Sequence, residues 1–400
     1  MLVGDRGWEY DPSIKVDKCI LLTLYLEKCG KDTVKGNVKN VRLVIVGRIG
    51  RTYMKRKICV NGSSLNGKTT GIERYVTEIL KRLDMLLPEQ EFDIEVIYPR
   101  ESEEYIPDFQ HIRKVPLAVK GKKLGVLTIK RYLYEHPATY CSLSGNFCVQ
   151  NDSIIVIHDI RPFMHSEYDP LSFRLRCSAN FLSAKLWAAQ LVTDSQTSKQ
   201  EICESLHISP DRVAVISNGW EHMQTVSSDM SIFERHAEIE RGNYFYSLSS
   251  QAPHKNFKFV WENAKSHPNL QFVIAGKAWP GESNNVNLPD NVVYLGYISD
   301  GESKALMENC RGFIHPSKYE GFGITPLEAL ACGAPLYLAE ASCLPEIYGD
   351  CATFFDPDDY MFNFERSELH KKNRDLVLKN YSWHMAASKW IDLLTRYYKL

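Results

Sequence analysis

Two glutamates separated by seven residues lie at a glycine-containing turn between a predicted strand and a predicted helix. The segment His315–Gly333 reads HPSKYEGFGITPLEALACG and contains Glu320 and Glu328. Gly321 and Gly323 let the backbone approach a ligand closely and leave amides free to donate. A helix amino terminus at this point favours an anion such as a diphosphate. Glu328 can accept hydrogen bonds from ribose hydroxyls and Glu320 from those of a sugar. A β-α turn with two exposed acids explains the spacing equally well.

A lysine in the segment Ser249–Asn256, SSQAPHKN, is a candidate partner for that diphosphate. The ammonium group of Lys255 can place a point charge on a phosphate as it leaves. The preceding His254 adds positive charge only when protonated, which is partial near neutral pH because free histidine has a pKa of about 6.5. We therefore expect anion binding to depend on pH if His254 is the second cation. An ordinary surface lysine is the competing explanation of Lys255.

A histidine follows a strongly apolar run in Val156–Pro162, which reads VIHDIRP. An uninterrupted run such as Ser153–Ile157 is typical of a buried parallel strand, and ligands bind at the carboxyl ends of such strands. His158 can therefore face a cleft, although a buried histidine with satisfied hydrogen bonds is common at such a position. Asp159 is expected to cap or orient the loop.

A second phosphate-binding pattern competes with the first. Gly62–Thr69, GSSLNGKT, matches the P-loop pattern G-x-x-x-x-G-K-T and lies between a short strand and a helix. Ile154–Asp159 offers the apolar strand and the acid that P-loop enzymes use for Mg²⁺. By itself, this pattern favours a kinase or another nucleoside triphosphatase in which Lys68 contacts the phosphates.

The elements that must position these residues alternate between strand and helix. Apolar residues recur at the helical period in Thr70–Leu86, whereas Phe92–Tyr98 alternates like a strand. Repeated β-α-β units predict an α/β fold with a doubly wound parallel sheet. A polar stretch, 218–242, interrupts the series, and a second β-α series follows it.

Two open α/β domains that face a central cleft are the predicted architecture. The predicted divisions are an atypical N-terminal extension at 1–54, a first domain at 55–222, an interdomain connector at 223–242, a second domain at 243–380 and a terminal helix at 381–400. Within the extension, Cys19–Cys29 is compatible with a short buried helix and Val41–Gly47 with a strand.

The composition disfavours several functional classes. Hydrophobic residues are 44% and charged residues 24% of the chain, which is ordinary for a globular protein. Lys and Arg number 48 against 49 Asp and Glu, so a general nucleic-acid binder is not expected. Eleven scattered cysteines without a C-x-x-C pair predict neither a zinc site nor a disulfide framework and fit a reducing cytosol. Without a signal peptide or a long apolar run, a cytoplasmic location is expected.

The segment around Glu320 and Glu328 resembles the E-x7-E motif of the retaining glycosyltransferases of family 4, which have the GT-B fold. Further motifs follow in the family's order: VISNG at Val215–Gly219, LPE at Leu344–Glu346 and YSW at Tyr381–Trp383. The resemblance covers the chain apart from the N-terminal extension.

This resemblance implies transfer of a hexose from a nucleotide diphosphate sugar with retention at the anomeric carbon, and no metal or other cofactor. The second of two Rossmann-like domains would bind the nucleotide sugar, and the first would lie on the acceptor side. Glu328 would bind the ribose and Glu320 the transferred sugar. Lys255 would stabilise the diphosphate, and His158 the developing charge. The match also places these residues at the donor: Gly71, Ser250, His254, Gly321, Phe322, Gly323 and Ile324.

The chain departs from the family at one position, since an arginine commonly accompanies the lysine. Here His254 precedes Lys255, and Ser249 or Ser250 occupies the slightly earlier position. A non-catalytic nucleotide-sugar-binding subunit is therefore one alternative. The P-loop enzyme is the other, but nothing after residue 200 resembles one, whereas the transferase explains both halves.

A basic segment suggests that the acceptor is bound at an anionic membrane surface. Residues 111–135 hold seven Lys or Arg against one Glu, with apolar residues between them. A solvated basic face explains this composition, and so does docking on anionic lipid. The expected acceptor is a saccharide or lipid-linked saccharide in polysaccharide biosynthesis, met peripherally at the inner face of a membrane.

Overall fold

The structure is a computed structural model that describes residues 56–67, 70–89, 92–119, 121, 123–250, 252–277, 288–364 and 371–399. The predictions for 1–54, including the helix at Cys19–Cys29 and the strand at Val41–Gly47, lie outside the described residues. Lys68 and Thr69 of the P-loop pattern lie outside them as well.

The first domain is built on a seven-stranded parallel sheet. Its strands are β1 Arg56–Asn61, β2 Phe92–Pro99, β3 Arg113–Leu117, β4 Thr139–Ser142, β5 Ser153–Val156, β6 Ala188–Thr193 and β7 Val213–Val215, in the order β3-β2-β1-β4-β5-β6-β7. Its helices are α1 Gly71–Leu86, α2 Val126–Glu135, α3 Arg161–Met164, α4 Leu171–Trp187 and α5 Gln196–Leu206. Alternate strand residues enter two separate cores, one beneath α1 and the other beneath α2, α4 and α5. Helices on both faces make the sheet doubly wound.

The second domain repeats this plan around a six-stranded parallel sheet. Its strands are β8 Tyr244–Leu248, β9 Gln271–Ala275, β10 Val292–Gly296, β11 Gly312–His315, β12 Leu336–Ala339 and β13 Ala352–Phe355, in the order β10-β9-β8-β11-β12-β13. Its helices are α6 His222–Thr225, α7 Ile232–Arg235, α8 Phe257–Ser266, α9 Asp300–Glu308, α10 Ile324–Ala331, α11 Leu344–Tyr348 and α12 Lys371–Asn380. The inner strands β8, β9, β11 and β12 are nearly fully buried, which explains their mostly apolar sequences, whereas the edge strands β10 and β13 are partly buried.

The polar stretch predicted as a connector, 223–242, is part of the second domain. Met223, Ile232 and Phe233 are buried in its core, and the Asp229 amide donates to the Gly301 carbonyl at 2.9 Å. A few apolar residues pack this segment against the domain core. Because the segment is mostly polar, its composition did not indicate this packing.

The last helix, α13 Trp383–Lys399, packs on the first domain. Trp383 and Trp390 are fully buried beside α1, and the Trp390 indole donates to the Tyr75 hydroxyl at 3.1 Å. The carboxyl end of the chain therefore crosses from the second domain and completes the core of the first.

Candidate active site

Two turns at the carboxyl ends of neighbouring strands meet in the second domain. The turn after β8 carries Lys255, and the turn after β11 carries Glu320. Because β8 and β11 are paired in parallel, both turns lie at the same edge of the sheet. The Lys318 amide donates to the His254 carbonyl at 2.8 Å, which ties the turns together through the backbone.

Lys255 and Glu320 form a bidentate ion pair. The Lys255 ammonium lies 2.6 and 2.8 Å from the two carboxylate oxygens of Glu320. His315 Nε2 lies 2.7 Å from Oε1 of the same carboxylate. Burial alone would raise the pKa of Glu320, but the Lys255 charge and the His315 hydrogen bond outweigh it and hold that pKa well below its ordinary value. Glu320 is thus a fixed anionic acceptor.

Glu328 lies at the other end of this site, in the second turn of α10. Its Oε1 is 2.8 Å from His222 Nε2 and 3.4 Å from Nε of Arg74, which comes from α1 of the first domain. Arg74 also pairs with Asp300 at 2.7 Å. Both domains therefore hold the carboxylate through Oε1, and no described residue is hydrogen-bonded to its other oxygen.

The glycine turn between the two glutamates lies against the first domain. A Cβ atom on Gly321 would lie 2.3 Å from the His158 carbonyl oxygen, so only glycine fits this approach. Gly323 has a φ of 83°, a left-handed conformation that also favours glycine. Among the described residues, the amides of 321–324 donate to no protein carbonyl outside the regular elements, so they are open to an acceptor from a ligand.

His158 lies in the first domain with both ring nitrogens engaged. Nδ1 lies 2.8 Å from Asp194 Oδ2, and Nε2 lies 3.0 Å from the Leu143 carbonyl oxygen. Burial lowers the pKa of His158, but the Asp194 carboxylate and these hydrogen bonds outweigh it, so the pKa is raised overall. The raised pKa favours the protonated ring, and the role of His158 toward a substrate stays a prediction.

The expectation that His254 could be a partial second cation is wrong. Burial and the charges of Lys255 and Arg161 lower its pKa to about 3, so the ring is neutral near pH 7. It lies 2.7 Å from the guanidinium of Arg161, which is also paired with Asp169 at 3.1 Å. The first domain therefore brings an arginine to the position beside Lys255.

Three of the remaining predicted residues, Gly71, Phe322 and Ile324, lie around the glycine turn. Gly71 begins α1, and a Cβ atom there would be 3.7 Å from Ile324, in ordinary contact. Ile324 packs against the cores of both domains. Phe322 is buried and lies edge-on to Tyr381. Ser250 is exposed on the loop after β8.

Five residues that the sequence analysis did not select complete the site: Arg74, Arg161, Asp194, His222 and His315. Four of them reach the predicted residues from another element, so no spacing along the chain marks them, whereas His315 ends β11 and precedes Glu320 by only five residues. Asp194 directly follows the strand β6, and His222 comes three residues after the motif Val215–Gly219.

The P-loop pattern adopts a different arrangement in the residues that the structure describes. The amides of Asn66 and Gly67 donate to a carboxylate oxygen of Glu73, at 3.2 and 3.0 Å. A P-loop uses such amides for phosphate. Here a side chain of the following helix occupies them, which disfavours the kinase or nucleoside triphosphatase interpretation.

A carboxylate also closes the start of α5. Glu346 accepts hydrogen bonds from the amides of Gln196 and Thr197, at 2.8 and 2.7 Å, and thereby joins α11 of the second domain to the first.

Within the described ranges, no cluster of three His, Cys, Asp or Glu side chains is suited to a metal ion. In the same ranges, no helix combines the length and the apolarity needed to span a bilayer.

Residues 229–361 match the family model described as glycosyl transferases group 1, and they include both turns and both glutamates. The chain is a glycosyltransferase. This glycosyltransferase is 24% identical over 328 residues to O-antigen chain mannosyltransferase B of Escherichia coli, which covers 72% of this chain and 84% of that protein. It is 29% identical over 229 residues to O-antigen chain mannosyltransferase RfbU of Salmonella typhimurium, covering 55% of this chain and 61% of that protein.

Solved structures share the fold of this glycosyltransferase. Sucrose-phosphate synthase from Thermosynechococcus elongatus has a TM-score of 0.64 at 16% identity, covering 86% of this chain and 99% of its own. Anabaena HepE in complex with UDP and glucose has a TM-score of 0.63 at 16% identity, and the match covers 85% of this chain and 100% of that one. The expected GT-B fold and the glycosyltransferase class are confirmed.

Proposed function

We propose that this glycosyltransferase belongs to the retaining family 4 and moves a hexose from a nucleotide diphosphate sugar to a saccharide or lipid-linked saccharide. The ion pair between Lys255 and Glu320, at the edge of the sheet where Glu328 also lies, is the observation that carries the proposal. It joins a cation suited to a diphosphate with an anion suited to sugar hydroxyls. Mannose is the first hexose to test, because two related proteins are named O-antigen chain mannosyltransferases.

Each group has one task in the proposed reaction. Glu328 accepts hydrogen bonds from the ribose, and Glu320 from hydroxyls of the transferred hexose. The amides of 321–324 and Lys255 stabilise the negative charge that develops on the diphosphate. His158, whose protonated form the neighbouring Asp194 carboxylate favours, adds positive potential from the other domain when it is protonated. Arg161 supplies the second cation that His254 cannot.

The bond changes balance without a protein nucleophile. The bond between the anomeric carbon and the phosphate oxygen breaks, and the acceptor oxygen attacks from the same face to form the new glycosidic bond. The acceptor proton passes to the departing phosphate oxygen. Domain closure excludes water and so limits hydrolysis of the donor. No step requires a metal ion, and metal independence stays part of the proposal.

A donor screen tests the function directly. The protein is incubated with nucleotide-linked mannose, glucose, galactose and rhamnose and a saccharide acceptor, and the anomeric configuration of the product is read by NMR. We expect one hexose to be transferred with retention, in the presence of EDTA. An inverted product overturns the retaining assignment. Donor binding without transfer or hydrolysis favours the non-catalytic subunit, and stabilisation by ATP alone favours the P-loop enzyme.

Peripheral contact with an anionic membrane is the second part of the proposal. The basic segment 111–135 contains β3 and α2, and Leu127 and Tyr134 on α2 are 82% and 88% exposed. On the same side of the sheet, α4 exposes leucines along one face, and its sequence contains Arg and Lys but no acid. These leucines are Leu171, Leu175, Leu182 and Leu186. Basic and apolar groups on one surface suit an anionic lipid interface better than a second copy of the same positive surface.

Vesicle co-sedimentation tests the membrane contact. We expect binding to vesicles that contain anionic lipid, weaker binding to neutral vesicles, and loss of binding in the double variant Leu175→Glu, Leu182→Glu. Met361 is 78% exposed in the second domain, so Met361→Glu is the matched control. Equal sedimentation with both vesicle types, or equal loss in the control, overturns this part.

A further inference from the structure

His222 links the candidate ribose carboxylate to the terminal helix. It is the first residue of α6, is 4% exposed, and lies directly after the chain passes between the domains. Nε2 is 2.8 Å from Oε1 of Glu328, and Nδ1 is 2.9 Å from the indole nitrogen of Trp383 in α13. Three segments that are distant in sequence therefore meet in one hydrogen-bonded chain.

The indole of Trp383 determines the direction of the hydrogen bonds from Trp383 through His222 to Glu328. An indole nitrogen is a donor and never an acceptor, so the nitrogen of Trp383 must donate to Nδ1 of His222. Nδ1 then has no hydrogen, and the ring hydrogen lies on Nε2. Nε2 in turn donates to the carboxylate of Glu328. Trp383 thus selects the tautomer of His222 that can bind Glu328.

Backbone contacts fix the start of α13 and so hold the indole of Trp383 against His222. The neighbouring Glu221 accepts hydrogen bonds from the amides of Trp383 and His384, at 2.7 and 3.1 Å. A Cβ atom on Gly219 would lie 1.9 Å from the Trp383 nitrogen, so the two backbones are in direct contact. The indole and the imidazole are therefore set by rigid neighbours, not by flexible side chains alone.

We propose that His222 is a positioning residue for the donor nucleotide and that Trp383 acts through it. The Nε2–H donor fixes one oxygen of Glu328 and turns the other toward the ribose hydroxyls, which lowers the entropy lost when the nucleotide binds. This inference rests on the proposed role of Glu328. It predicts an effect on nucleotide affinity rather than on the chemical step.

Two substitutions at His222 separate positioning from packing. The amide nitrogen of glutamine can occupy the place of Nε2 and donate to Glu328, whereas asparagine reaches only the place of Nδ1 and its contact with Trp383. We expect His222→Asn to raise the dissociation constant of GDP and UDP and the donor KM by roughly tenfold, the loss of one hydrogen bond to a charged group. The kcat should change by less than about threefold, and His222→Gln should stay close to wild type.

Two tryptophans of α13 give a matched pair that does not alter His222 itself. Trp383→Phe and Trp390→Phe each remove one buried indole N–H from the same helix, but only Trp383 contacts His222. We expect similar losses of thermal stability and weaker nucleotide binding in Trp383→Phe alone. This pair keeps the test valid if a His222 variant fails to fold.

The failure of this inference differs from that of the proposed function. If Glu328→Gln binds GDP and UDP as tightly as wild type, Glu328 does not hold the ribose and the proposed site is wrong. If Glu328→Gln weakens binding but His222→Asn and His222→Gln behave alike, the positioning role is overturned by itself. Equal nucleotide affinity in the two tryptophan variants overturns the role of Trp383.

Discussion

Replacing Lys255 by methionine should destabilise the second domain, because it leaves a buried carboxylate without its main partner. The ammonium makes two short contacts with Glu320, and the side chains of Lys255 and Glu320 are 18% and 11% exposed. Breaking such a pair costs about 3–5 kcal/mol, and since His315 still binds one oxygen we expect the lower end, about 3 kcal/mol. At about 3 °C per kcal/mol for a domain of this size, the Tm should fall by roughly 9 °C.

The double variant Lys255→Met, Glu320→Gln is the decisive comparison. It removes the uncompensated charge along with its partner, so it should recover most of the loss seen in Lys255→Met. The stability is measured by thermal unfolding at pH 7 and by urea titration. If Lys255→Met loses less than about 1 kcal/mol, or if the double variant is no more stable than it, the ion pair does not carry this energy.

The pH dependence of the stability provides a second check. The pKa of Glu320 is held below its ordinary value, so the stability that it contributes is present above about pH 4.5 and is lost as the pH falls through the lower folded-state value. The stability advantage of wild type over Glu320→Gln, in which residue 320 does not titrate, should therefore persist from pH 7 to about 5 and narrow only in stronger acid. An advantage that is lost already near pH 6 contradicts the assignment.

Three further outcomes are expected. Gly321→Ala places a Cβ atom 2.3 Å from the His158 carbonyl oxygen, so turnover should fall more than about tenfold while the circular dichroism spectrum stays unchanged. Near-normal turnover would show that the two domains need not approach each other at this turn. Because the pKa of His158 is raised in the folded protein, its pairing with Asp194 is fully stabilising below about pH 6.5 and weakens as the pH rises through the folded-state pKa. The stability advantage of wild type over Asp194→Asn should therefore shrink toward pH 9. An advantage that grows with pH would refute the raised pKa. Because the pKa of His254 is about 3, His254→Gln should leave the pH profile of nucleotide binding unchanged between pH 5.5 and 8, as isothermal titration can check.

The sequence was informative where a function depends on one continuous segment. The turn from Glu320 to Glu328 and the turn with Lys255 are local β-α connections, so their glycines, charges and helix starts are visible in the residue order. Helix α1 begins at Gly71, within one residue of its predicted start, because Thr70 is a recognisable N-cap. Buried strands such as β5 were equally evident from their apolar runs.

The sequence was uninformative where the site depends on contacts between elements. Arg161 and His254 are 93 residues apart, and burial together with the charges of Lys255 and Arg161 lowers the pKa of His254 and keeps its ring neutral. Helix α4 was missed because it carries apolar residues on both its buried and its exposed face, which removes the amphipathic period. Residues 223–242 were misassigned for the opposite reason, since a mostly polar segment docks through a few apolar side chains.

The crossing of α13 has a consequence for the order in which the protein can mature. Trp383, Trp390, Leu393 and Leu394 belong to the core of the first domain, although they follow the whole second domain in the chain. The apolar surface beneath α1 therefore stays open during translation of the whole second domain. The first domain can reach its final stability only after α13 has been synthesised, and removal of this helix should yield an aggregation-prone product rather than a smaller working enzyme.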